Sequence, residues 1–173
     1  PAVGIFHFAD PERAYLDGVE LASVAQPRLG ADWAGLTAAA IAAAFERDAT
    51  AESVVGAVLR TAQANTKDLF YQLNVHSRGQ AWDHNDAAIA AWWCTQAGVI
   101  PSSRETRWAA ACPIRHSLPL LLSYHDQPEK LMQLTVGVNP GEWWGANWLG
   151  VHAISASTAG AIVGAMHGSE IFP

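Results

Sequence analysis

The residues whose types and spacing could support chemistry gather near the carboxyl end of the chain. Ser155, Ser157 and Thr158 place three hydroxyl groups within four residues, and His152 precedes Ser155 by three residues. Small and apolar residues follow, which predicts a helix that begins near Ser157 and ends near His167. Gly160, Gly164 and Gly168 remove side-chain bulk from one face, so we expect this helix to be central and enclosed by its neighbours. A serine at a helix start can cap free N–H groups, and the same groups attract an anion or a polar ligand. The stretch is therefore a capped core helix or a ligand site, and periodicity alone favours the core helix.

A tryptophan-rich segment lies just before these hydroxyls. Residues 141–148 read GEWWGANW, and they supply Glu142, Trp143, Trp144, Asn147 and Trp148. Aromatic faces suit stacking on a base or a sugar, and neighbouring polar side chains can orient the ligand. The alternative is a group of tryptophans that packs on the core. Both interpretations stay open on the sequence.

A third group of candidates lies in the segment WDHND, which contains Asp83, His84 and Asp86. A histidine beside carboxylates could act as a general base or a metal ligand. Acidic and amide side chains just before a helical pattern more often cap that helix, and we favour this interpretation here. The other histidines show no spacing typical of a metal site, so the sequence assigns no catalytic residue and no metal ligand.

The elements that must position these residues read as a succession of helices. Asp10 followed by Pro11 predicts a helix start, and Pro27 predicts its end. An alanine-dense stretch at residues 32–47 predicts the next helix, and Thr50 predicts the start of another. No segment alternates between apolar and polar residues for long enough to predict a strand. We therefore predict a single all-α domain over residues 1–173.

The composition limits the classes of function. Half of the residues are hydrophobic and 15% are charged, which argues against disorder. The net charge of −6 and the absence of any lysine or arginine cluster argue against a nucleic-acid surface. The last helical pattern has polar residues in its first half and no anchoring residues after it, so we expect no membrane span. Cys94 and Cys112 lack metal spacing, and no signal peptide is apparent, so we expect a cytoplasmic protein with reduced thiols.

The C-terminal segment resembles a known family. SASTAGAIVGAMHGSEIFP is similar to the C-terminal signature of the ADP-ribosylglycohydrolase family, in which Asp-x-Asp-Thr precedes a helix of Ala, Ile and Gly that ends near Ile-Pro. Ser155 and Ser157 fall on the two Asp positions, and Thr158 falls on the Thr. The opening segment, PAVGIFHFADPERAYLDGVELASVAQ, is similar to the segment that follows the family's mid-chain Arg-x-x-Pro-hydrophobic-Gly motif.

The resemblance spans nearly the whole chain but covers only the C-terminal half of the family's fold. It implies a compact multi-helix domain, incomplete at its N-terminal side, and hydrolysis of a ribosyl or ADP-ribosyl glycosidic bond. The family's Gly-Asp-Ala-x-Gly and Thr-Asp-Asp-Thr motifs are missing from this sequence. Family enzymes resemble two-metal hydrolases in which carboxylates hold a pair of Mg²⁺ ions. Because serine hydroxyls replace these carboxylates poorly, we expect no Mg²⁺ and no other cofactor in this chain.

Three functions remain open from the sequence. The first is a hydrolase completed by another segment or subunit that carries the missing motifs. The second is a non-catalytic module that binds ADP-ribose or a related nucleotide-like molecule, and the third is a structural helical subunit. An incomplete domain should expose an apolar surface, which a second chain, the missing half or a homodimer contact would cover.

Overall fold

The computed structural model describes residues 1–66, 120–137 and 149–168, together with Ile114, Ser117 and Leu118. The predicted all-α fold is confirmed, since all the regular structure in these ranges is helical. The helices are α1 (Ala2–Phe6), α2 (Pro11–Ser23), α3 (Arg28–Ala43), α4 (Ala51–Asn65), α5 (Pro128–Gly137) and α6 (Leu149–His167). Residues 120–124 add a further helical turn before α5. Within the same ranges, no helix is long and apolar enough to cross a membrane.

Side-chain caps set the starts of α2 and α4. The Asp10 carboxylate accepts a hydrogen bond from the backbone N–H of Arg13 at 3.0 Å, just before Pro11. Thr50 and Ser53 form a reciprocal capping box, in which each side chain accepts a hydrogen bond from the other residue's backbone N–H. These contacts satisfy N–H groups that the first turn of a helix leaves free. Both predicted helix starts are confirmed.

The alanine-dense helix α3 is the central element of the described part of the fold. Thirteen of its 16 residues are buried, and it contacts α1, α2, α4 and α6. Glycines let two of these neighbours approach closely. A Cβ atom on Gly35 would lie 2.6 Å from Val19 Cγ2 of α2, and one on Gly4 of α1 would lie 2.5 Å from the carbonyl oxygen of Ala38. Small residues therefore bring α1 and α2 against α3 at short helix-to-helix distances.

The apolar core continues from α3 into the C-terminal helices. Leu36, Val54, Leu121, Leu131 and Ile162 are all completely or almost completely buried in one cluster. They come from α3, α4, the 120–124 turn, α5 and α6 respectively. Burial of a leucine, isoleucine or valine side chain stabilises a fold by about 1.5–3 kcal/mol. The cluster therefore holds the N-terminal and C-terminal helices together.

Two expectations about the last helix are wrong. α6 begins at Leu149, eight residues before the predicted start near Ser157. The Thr158 hydroxyl donates to the Ile154 carbonyl within the helix, so it does not cap a helix start. α6 is also less enclosed than α3, because Ile154 and Ser157 are exposed.

Candidate functional site

The three hydroxyl residues of the predicted site lie within α6 and on different sides of it. Ser155 and Thr158 are completely buried, whereas Ser157 is exposed. Residues three apart in a helix share a face, and residues two apart do not. The helix therefore turns Ser155 and Thr158 towards the core and Ser157 away from it, so the three hydroxyls do not form one cluster.

Internal hydrogen bonds surround the two buried hydroxyl residues. The Thr158 hydroxyl donates to the Ile154 carbonyl oxygen at 2.9 Å. The Ser117 hydroxyl, which is also buried, donates to the Ser155 carbonyl oxygen at 3.4 Å. Fully buried Ile162 lies one helical turn beyond Thr158 on α6. A buried hydroxyl is stable only when it is hydrogen-bonded, and these contacts serve helix packing.

The free N–H groups of α6 are distant from the predicted ligand-binding hydroxyls. The N–H groups at the start of a helix lack internal partners, and here the helix starts at Leu149. Ser155 lies six residues after Leu149, which corresponds to about 9 Å along the helix axis. His152 belongs to the first turn of α6. An anion at the helix start would therefore not reach the Ser155 and Thr158 hydroxyls directly.

The remaining predicted site residues lie outside the described part of the chain. They are Glu142, Trp143, Trp144, Asn147 and Trp148 of the tryptophan-rich segment, and Asp83, His84 and Asp86 of the WDHND segment. Their roles in ligand binding or helix capping stay predictions. The described residues contain no group of three or more His, Cys, Asp or Glu side chains arranged to hold a metal ion.

A buried tyrosine–aspartate pair was not anticipated from the sequence. The Tyr15 hydroxyl of α2 donates to a carboxylate oxygen of Asp32 in α3 at 3.0 Å, and both residues are buried. Burial and the adjacent Asp32 carboxylate raise the pKa of Tyr15 far above its usual range. The one feature of the sequence that could have indicated this pair was an aspartate inside an alanine-dense helical stretch. The pair connects α2 to α3 and keeps the tyrosine neutral.

A contact between His7 and Asp17 fixes α1 beside α2. The Nε2 atom of His7 lies 2.8 Å from one oxygen of Asp17, and the Nε atom of Arg13 lies 3.2 Å from the other. A carboxylate can orient an imidazole for general-base catalysis. Here the His7–Asp17 contact joins the end of α1 to α2, while Arg13 pairs with Asp17 within α2, and the Ala9 N–H adds a hydrogen bond to the Ala42 carbonyl oxygen of α3. The cluster therefore positions α1 firmly against the rest of the fold.

A histidine contact connects the end of α6 to the turn before α5. The Nε2 atom of His167 lies 3.0 Å from the His125 carbonyl oxygen. The Nδ1 atom of His125 is buried and has no hydrogen-bond partner among the described residues. At the start of α4, a backbone N–H and the Thr50 hydroxyl lower the pKa of Glu52. The His167 contact stabilises the packing of the end of α6 on the turn before α5.

Comparisons with known proteins identify no relative. No family model matches the chain, and no curated protein or solved structure matches it.

Proposed function

We propose that the chain is a non-catalytic helical domain of the ADP-ribosylglycohydrolase type. The family named in this proposal comes from the resemblance of the C-terminal and opening segments to the ADP-ribosylglycohydrolase family. The complete burial of Ser155 supports the loss of catalysis, because the resemblance places a metal-binding carboxylate at this position. A buried position inside a packed helix can hold a small neutral side chain, whereas a carboxylate there would need a cation or several donors. Ser155 therefore contributes to packing.

Thr158 supports the same conclusion. Its hydroxyl is fully buried and donates to the Ile154 carbonyl oxygen, so its hydrogen takes part in an internal contact. A hard divalent cation prefers six or more charged or strongly polar oxygen ligands. Two small neutral side chains beneath the helix surface do not provide such a set. The proposed role is that of a structural or binding subunit, and the family's hydrolysis would belong to chains that retain the carboxylates.

An activity assay tests this proposal. The chain is incubated with an ADP-ribosyl-arginine conjugate, with and without Mg²⁺, and released ADP-ribose is measured by chromatography. We expect no release above a protein-free control under either condition. Titration calorimetry with ADP-ribose then separates a binding module, which gives saturable heat, from a purely structural subunit, which gives none. Mg²⁺-dependent release of ADP-ribose by the purified chain would overturn the proposal.

A second candidate is a hydrolase that another segment or subunit completes. The exposed side of α6 favours it, because Ser157 is exposed and the Ile154 side chain retains about half of its accessible surface. A chain that carries the missing carboxylates could pack on this side. Hydrolysis that requires both proteins, and that Ser157→Leu abolishes without affecting the melting temperature, would support it. Copurified activity that is unchanged in the Ser157→Leu variant would count against it.

A further inference from the structure

Large hydrophobic side chains are exposed on the first two helices. Phe6 of α1 keeps 81% of its surface accessible, and Val24, at the end of α2, keeps 85%. Ile5, Leu16 and Leu21 are also exposed. These five residues are here called the α1–α2 face. Single exposed hydrophobic residues are ordinary on a protein surface, but several on two adjacent helices mark a site of association.

α1 turns a glycine towards the core and its large hydrophobic residues towards solvent, whereas burying the large residues would stabilise an isolated domain more. Gly4 faces α3 so closely that an added Cβ would lie 2.7 Å from the Ile41 Cβ atom. Ile5 and Phe6, which have much more apolar surface to bury, point outwards. The His7–Asp17 contact holds the end of α1 in this position. The contacts of α1 with α2 and α3 therefore hold its large side chains in a defined, exposed position.

The contacts of His7 place the exposed residues of α1 next to those of α2. His7 follows Phe6 and its ring packs edge-to-face against the Phe6 ring, with 4.9 Å between the ring centroids. Its imidazole contacts Asp17 of α2. Leu21 lies one turn after Asp17 on α2, and Val24 lies one further turn along. Exposed apolar groups thus extend from α1 along the length of α2.

The area of the face fits association with another protein molecule. If each fully exposed side chain presents roughly 180 Å², the five residues together expose on the order of 600 Å² of mainly apolar surface. A stable interface buries about 800 Å² on each partner, including a polar rim. The neighbouring Arg13, Asp17 and Glu20 supply such a rim. The face therefore approaches the size that a stable dimer needs.

The charges at the rim favour a second copy of this chain as the partner. Arg13 is the one Lys or Arg residue of α1 and α2, and it pairs with Asp17, while the exposed Glu20 lies two turns further along α2. A face that carries both signs can complement itself across a two-fold axis. An anionic membrane is a poor match, because the chain has a net charge of −6 and its one cation on this face is paired.

We infer that two copies of this chain associate through the α1–α2 face to form a symmetric dimer. The axis brings Phe6 and Leu21 of one copy against the same face of the other. This inference does not depend on the proposed function. It would hold for a binding module or a structural subunit alike.

Sedimentation equilibrium of the full chain, over a concentration series into the hundreds of micromolar, tests the inference. We expect a monomer–dimer equilibrium in the wild type, and an increase of roughly tenfold or more in the dimer dissociation constant of Phe6→Asp, because a charge would be placed in an apolar interface. Phe6 is exposed in the single chain, so circular dichroism and the melting temperature measured at low concentration should be unchanged. A Leu21→Asp variant on α2 should show the same weakening.

The matched control is Ile154→Asp, which also places a charge at an exposed hydrophobic residue but lies on α6, outside this face. It should leave the dissociation constant unchanged. A monomer at every concentration would overturn the inference, as would a dimer that Phe6→Asp and Leu21→Asp leave intact. A dimer weakened equally by all three substitutions would also contradict it, because the effect would then not be specific to the α1–α2 face.

Discussion

Replacement of Gly35 by alanine tests the close contact between α2 and α3. The added Cβ would lie 2.6 Å from Val19 Cγ2 and 2.8 Å from both the Cδ2 atom and the carbonyl oxygen of Tyr15. The valine methyl group can move slightly, but the carbonyl belongs to the backbone of α2 and moves only if the helix moves. Overpacking of this kind destabilises a protein by about 1–3 kcal/mol.

The higher helix propensity of alanine offsets part of this loss. Alanine stabilises a helix interior by about 1 kcal/mol relative to glycine. We therefore expect Gly35→Ala to lower the free energy of unfolding by up to about 2 kcal/mol in net terms. For a chain of this size, a change of 1 kcal/mol shifts the melting temperature by roughly 2–4 °C.

Gly56→Ala in α4 is the matched control. A Cβ at Gly56 would meet only the mobile end of the Arg60 side chain, at 3.3 Å, so the propensity gain should remain and the protein should become slightly more stable. Urea denaturation followed by circular dichroism measures both variants. If Gly35→Ala were as stable as Gly56→Ala, the close packing of α2 on α3 would be refuted.

Three further predictions concern hydrogen bonds and ionisation. Tyr15→Phe should lower the free energy of unfolding at pH 7 by about 1–3 kcal/mol, because the buried Asp32 carboxylate loses a donor, and urea denaturation measures this loss. The pKa of Tyr15 is raised in the folded state, so its contribution to the free energy of unfolding is complete below the unfolded pKa of about 10 and falls as the pH rises above that value. Denaturation curves from pH 8 upwards should show this fall in the wild type and a smaller one in Tyr15→Phe. Thr50→Ala should cost about 1 kcal/mol in the same denaturation assay, because the Ser53 N–H loses its cap, and the lowered pKa of Glu52 should move back towards its usual value in an NMR titration. Unchanged stability in either variant, or a Glu52 titration that does not move, would contradict the corresponding contact.

The sequence was sufficient where local chemistry determines the structure. Asp10 before Pro11 and Thr50 before a helical pattern both predicted helix starts, because a cap needs only residues within one turn. The predicted start of α6 was wrong for a related reason. Serine and threonine also occur inside helices, where their hydroxyls bond to a carbonyl one turn earlier, as Thr158 does, and the sequence pattern does not separate the two cases.

The candidate site depended on tertiary contacts that no local pattern contains. Whether Ser155 or Ser157 faces the core follows from the side of α6 that meets its neighbours, and this depends on packing against other helices. The pairing of Tyr15 with Asp32 joins two helices and is likewise a tertiary contact. The central role of α3 was not anticipated either, because the glycines of α6 suggested that the last helix would be the most enclosed.

The substitution Ser155→Asp tests most directly the claim that this position serves packing and not metal binding. We expect it to destabilise the fold by several kcal/mol, because it places a carboxylate at a completely buried position, and we expect millimolar Mg²⁺ to leave its melting temperature unchanged. Ser157→Asp, two residues away on the exposed side, should change stability by no more than about 0.5 kcal/mol. A folded Ser155→Asp protein whose melting temperature rises with Mg²⁺ would contradict the account, because it would reveal a metal site at this position.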